Sequence, residues 1–105
     1  NLVNHELLKK PPEPLEGCTS SYYLYWVQTK PSLRNKLARY LVDNGIYCTF
    51  RYYPLHLIDK YGYEGKLPNS EFVNERTLNI PLHQNLTESE LAYIVSKINH
   101  FIKNL

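Results

Sequence analysis

A chain of 105 residues, 43% of them hydrophobic, is the right size for one domain around a single core. Its net charge of +2 is spread over dispersed lysines and arginines, which points away from both a disordered polyelectrolyte and a phosphate-tracking nucleic-acid surface. No apolar run approaches the roughly 20 residues that cross a bilayer, and no basic segment leads into an apolar one at the start, so a membrane partner is not expected and the cytoplasm is the expected location.

In chain order, Leu2, Val3, Leu7 and Leu8 form a weak helical spacing with no capping residue before it, which reads as the tail of an element begun earlier. Pro11, Pro12 and Pro14 end any helix and leave an extended connector. Residues 21–28, with the run Tyr22-Tyr23-Leu24-Tyr25-Trp26-Val27, have strand composition and apolar groups on both alternating faces, predicting a central strand. A helix is predicted next, capped by Ser32, with Leu33, Leu37, Tyr40 and Leu41 on one stripe and Gly45 taking the left-handed conformation at its end. Residues 46–50 read as a second strand, stopped by Pro54.

Leu55, Ile58 and Tyr61 predict a few helical turns broken by Gly62, and Ser70 is placed to cap a brief helix through Glu75. Leu78-Asn79-Ile80 reads as a third short strand, stopped by Pro81. Thr87-Glu88-Ser89-Glu90 fits a capping box, and Leu91, Ile94, Val95, Ile98 and Ile102 follow at helical period. Seven of the ten tyrosines cluster at residues 22–25, 52–53 and 61–63, where amphipathic rings at the edges of a small sheet are the simplest account.

Motifs for a complete catalytic site are missing. His5, His56, His83 and His100 have no spacing that places two on one metal ion, and Cys18 and Cys48 lack a Cys-x-x-Cys pattern, so no metal site and no disulfide framework is expected. Nucleophile elbows and glycine-rich phosphate loops do not occur. Two similar corners remain, Tyr53-Pro54-Leu55-His56 and Ile80-Pro81-Leu82-His83, each at a predicted strand end. One reading makes the histidines exposed turn residues. The other puts a histidine at the mouth of a pocket, where its ring can bond a hydroxyl or phosphate oxygen, with Arg51 supplying positive charge for an anionic group.

Taken together, Asn44-Gly45-Ile46, Tyr53-Pro54-Leu55-His56, Tyr61-Gly62, Leu67-Pro68-Asn69-Ser70-Glu71, Glu75-Arg76-Thr77-Leu78, Ile80-Pro81-Leu82-His83 and Leu86-Thr87-Glu88 resemble the C-terminal domain of the DegT/DnrJ/EryC1/StrS family. The resemblance runs from about Tyr22 to the end of the chain. It implies pyridoxal-phosphate-dependent aminotransferases that move an amino group from glutamate to nucleotide-linked keto sugars. It also implies an α+β fold, a small mostly antiparallel sheet with helices packed on it, like the C-terminal domain of fold-type I aminotransferases. Residues 1–20 are then an incoming tail and connector, and residues 21–105 the small domain. A large domain of the same polypeptide would hold the cofactor through a lysine that no motif here supplies, so no catalytic or cofactor-binding residue is assigned to this chain and the fragment alone is expected to be inactive.

By the same resemblance Tyr53 and His56 approach cofactor and sugar from one side of a cleft near a homodimer interface. Arg51 is added to them on charge alone, as a phosphate contact. Two rival readings share the residues: a freestanding module that stacks nucleotides or sugars on its tyrosines, and a family member that serves as a sensor or a sugar dehydratase without aminating.

Overall fold

The computed structural model describes residues 2–105. It is an α+β domain whose sheet has two antiparallel strands, β1 (Tyr25–Gln28) and β2 (Thr77–Ile80), in a register that sets Tyr25 opposite Ile80 and Gln28 opposite Thr77. Single bridges extend the sheet on both sides. Lys9 exchanges both backbone bonds with Gln28, at 2.8 and 2.9 Å, and Thr49 does the same with Asn79, at 3.0 and 2.8 Å. Three helices complete the fold: α1 (Pro31–Asp43), α2 (Pro68–Arg76) and α3 (Glu88–Lys103).

The core lies where α1 packs against α3, α2 and β2. Leu37 and Leu41 of α1, Ile98 and Ile102 of α3, Val27 and Leu78 of the sheet are almost wholly out of solvent. Each such side chain contributes about 2 kcal/mol by leaving water. The helical stripes of the sequence account for these contacts, although Leu91, counted in the α3 stripe, is 43% exposed at the helix's open first turn.

Helix ends follow the sequence in some places and depart from it in others. Thr87 caps α3 in a full capping box: its hydroxyl accepts from the Glu90 amide at 3.2 Å, and Glu90 Oε2 accepts from the Thr87 amide at 2.8 Å. Gly45, at φ +73°, closes α1 with bonds from its own amide to Val42 O and from the Ile46 amide to Leu41 O. That pairing satisfies two orphan carbonyls and brings Ile46 onto Leu41 in the core. Ser32 and Ser70, by contrast, lie inside α1 and α2, and the caps are Lys30 and Leu67. In both helices a proline occupies the first helical position, where its missing N–H costs nothing and its fixed φ starts the turn, so no serine cap is required.

Three predicted elements change form. The tail at residues 2–10 is not helical: the Leu8 amide bonds His5 O at 3.0 Å in a tight turn, Leu8 enters the core, and Lys9 pairs with the open edge of β1. Edge pairing satisfies backbone groups on both segments, which an isolated helical turn would not do for β1. Asn1 lies outside the described residues. The first strand begins only at Tyr25, because β2 ends at Ile80, ahead of Pro81, and leaves residues 21–24 without a ladder.

The second strand, predicted over 46–50, shrinks to the Thr49–Asn79 bridge. Extending it one way would require an N–H from Pro81, which has none. In the other direction the Thr77 amide that would donate to the Arg51 carbonyl is already bonded to Val73 O at the end of α2, and that carbonyl accepts from the Asn79 side-chain amide at 3.0 Å instead. The helical turns expected after Pro54 are present as two short 3-10 segments, Leu55–Leu57 and Asp59–Tyr61, with Gly62 left-handed at the exit. No helix is long and apolar enough to cross a membrane among the described residues.

Candidate functional site

The two proline corners stand at the ends of the paired segments, and their histidines have different fates. At the first, Pro54 is buried and its carbonyl accepts from the Leu57 amide at 3.0 Å, so the chain turns at once and swings His56 inward. The His56 side chain is only 5% exposed, and its Nε2 lies 3.0 Å from Oε1 of Glu71 on the first turn of α2. That oxygen also accepts from the Leu67 amide at 3.1 Å. Tyr63 sets its ring edge-on to the imidazole at 5.8 Å. The His56 bond first, and the Leu67 amide after it, hold the Glu71 carboxyl below its ordinary range.

Tyr53 is 56% exposed and stands outside both concavities of the surface. Arg51 lines both of them. Its neighbour Tyr52 shares a 2.6 Å hydroxyl contact with Tyr23. That contact raises the Tyr23 phenol above its usual range, against the opposing pull of the Arg51 charge. The three residues singled out from the sequence therefore cluster in the chain without converging on one pocket: Arg51 is open on two sides, Tyr53 faces out, and His56 is turned toward α2.

The larger concavity, about 560 Å³, lies at the second corner. Pro81, Leu82 and His83 line it together with Arg51, Tyr23 and Tyr93. Glu90 stands at its α3 side, its carboxyl lowered chiefly by the Thr87 amide and to a smaller degree by His83. The smaller one, about 370 Å³, lies between the Phe50–Tyr52 segment and α2. Sequence reasoning raised the His83 corner and then chose His56 for the site, and it overlooked Tyr93. The twin motif was visible, but nothing local in it distinguishes the histidine that lines a cavity from the one that is bonded away.

Arg34 braces this region from α1. Its guanidinium lies 4.4 Å over the Phe50 ring and donates to Asn74 O at 3.2 Å. Partial burial pulls its pKa down. Cys18 and Cys48 are free thiols, and burial raises that of Cys48. Among the described residues no group of three or more histidine, cysteine or acidic side chains could hold a metal ion.

A short antiparallel sheet covered by helices, with proline corners at the ends of the paired segments, is the architecture of a small domain found in aminotransferases. The aminotransferase TlmJ from Streptoalloteichus hindustanus has it, with a TM-score of 0.91 and 44% identity over 94% of this chain and 27% of that one. Residues 2–99 match the DegT/DnrJ/EryC1/StrS aminotransferase family, and the chain belongs to that family.

Two curated relatives match most of the chain. A dTDP-4-dehydro-2,3,6-trideoxy-D-glucose 4-aminotransferase from Saccharopolyspora spinosa is 36% identical over 94 residues, which make up 90% of this chain and 24% of the relative. A pleiotropic regulatory protein from Geobacillus stearothermophilus is 30% identical over 99 residues, 89% of this chain and 26% of the relative. The chain thus spans about a quarter of the length of the relatives it matches.

Proposed function

We propose that this chain is the C-terminal small domain, residues 21–105 preceded by an incoming connector, of an aminotransferase that uses pyridoxal phosphate to move an amino group from glutamate to a nucleotide-linked keto sugar. The observation that carries the reading is the 36% identity, across nine tenths of the chain, to a relative named for amination of a dTDP-linked keto sugar. The cofactor would supply the electron sink for the amino transfer. No lysine lines either concavity of this chain, so no residue here is assigned to it, and the large domain of the same polypeptide would hold it.

What this chain contributes is one wall of the substrate cleft and the closure that excludes water. Arg51, exposed between two concavities, offers a planar, permanently charged fork suited to a nucleotide phosphate. Tyr53 offers an exposed hydroxyl. His56 offers the ring nitrogen that Glu71 does not occupy. The whole protein would work as a homodimer in the cytoplasm.

In the full-length protein, Arg51→Ala and His56→Ala are expected to raise KM for the dTDP-linked keto sugar and leave KM for glutamate unchanged. A rise in KM for glutamate alone, or no change in either constant, would remove this corner from the sugar site.

The 30% identity to a protein named as a regulator supports a second reading, in which a member of the same family senses a sugar without aminating it. That reading predicts sugar binding with no glutamate-dependent turnover.

A further inference from the structure

His56 carries a 3.0 Å contact from Nε2 to a carboxylate whose second role, accepting the Leu67 amide at 3.1 Å, already fixes its position at the start of α2. An ionised carboxylate has no proton to give, so Nε2 must carry the hydrogen, and a ring holding a single proton then has Nδ1 as its acceptor. The ring itself cannot easily turn. It is 5% exposed, follows the buried Pro54 by two residues, and meets the Tyr63 ring at an interplanar angle of 82°. Three elements therefore settle one imidazole: the 3-10 turn that carries it, the first turn of α2, and the segment around Tyr63.

We propose that Glu71 is a positioning residue that holds His56 in the Nε2–H form, so that Nδ1 presents a lone pair to a hydroxyl of the sugar substrate. This rests on the reading of His56 as a substrate contact and deepens it. The groups around the pair are compatible. Lys66 lies close enough to Glu71 to favour its ionised state, and the Leu67 amide does the same through a direct bond. Tyr63 offers the ring an edge and not a competing carboxylate. A histidine with one nitrogen committed to a carboxylate is a directional acceptor at the other, whereas a free imidazole would divide itself between two forms.

Imidazole nitrogen NMR on the full-length protein is the direct test and needs no turnover. His56 is expected to show a protonated Nε2 and an unprotonated Nδ1. Loss of that pattern is expected in Glu71→Ala, together with a rise of about tenfold in KM for the keto-sugar probe used above.

Glu71→Gln, whose side-chain oxygen can still accept from both Nε2 and the Leu67 amide, should restore most of the affinity. The double variant His56→Ala/Glu71→Ala should bind the sugar no worse than His56→Ala alone, because Glu71 acts only through the ring. A protonated Nδ1 in the native protein, or losses that multiply in the double variant, would overturn the assignment. If His56→Ala leaves KM unchanged while the ring shows the expected form, the substrate role of His56 fails and the Glu71–His56 relationship stands.

Discussion

Asn79 ties the strand pair to the candidate corner: its backbone exchanges bonds with Thr49, and its side-chain amide donates to the Arg51 carbonyl at 3.0 Å. The residue is 4% exposed, so its amide has little water to fall back on. Asn79→Ala should cost about 1 kcal/mol in denaturant unfolding, the usual net worth of such a bond. Because it also releases the backbone beneath Arg51, KM for the sugar should rise in the full-length protein, and a stability loss with unaltered KM would separate Asn79 from the site.

Ile98 and Leu91 lie on the same sequence stripe of α3 and are 0% and 43% exposed. Truncating Ile98 to alanine removes fully packed atoms and should cost about 2–5 kcal/mol, whereas Leu91→Ala should stay within about 0.5 kcal/mol. Chemical denaturation of the two variants side by side checks the orientation of α3 against α1.

Gly45 has open space where a side-chain carbon would sit, so packing does not exclude alanine there. Its φ of +73° does. Gly45→Ala should destabilise by about 1–2 kcal/mol through backbone strain alone. Gly45→Asn, which tolerates the left-handed region better, should lose less, and equal losses in the two would point away from the conformational cause.

Acid stability should depend on two carboxylates. Glu71 and Glu90 are both held below the ordinary range, chiefly by the His56 bond and by the Thr87 amide respectively. With a depressed folded-state value, the unfolded chain binds more protons, so stability rises with pH through this window. The contribution is complete above the unfolded value of about 4.3 and is lost as pH falls through the lower folded values. Denaturation midpoints followed from neutral pH into acid should drop across that interval, and Glu71→Gln and Glu90→Gln should each flatten the drop.

Much of this fold can be read from the chain where the information is local. The Thr87–Glu90 capping box and the glycine after α1 are signals in which the residues that interact are neighbours in sequence. The parts that changed form depend on distant partners. Residues 46–50 have strand composition, but Pro81 has no N–H to offer on one side and the Thr77 amide is bonded to Val73 O on the other, which limits them to one bridge. The tail has helical spacing, and the open edge of β1 at Gln28 draws it into pairing instead.

The candidate site was legible as two corners and no further. Tyr53-Pro54-Leu55-His56 and Ile80-Pro81-Leu82-His83 are near copies, yet Glu71 takes the first histidine while the second lines the larger cavity. Glu71 lies fifteen residues beyond His56, across a loop whose course the sequence does not state.

The most direct measurement of the central claim is product analysis of the full-length protein, loaded with pyridoxal phosphate and given glutamate and the dTDP-linked keto sugar. 2-Oxoglutarate and amino sugar are expected in equal amounts. Sugar consumed without 2-oxoglutarate, or sugar bound and left unchanged, would contradict that claim.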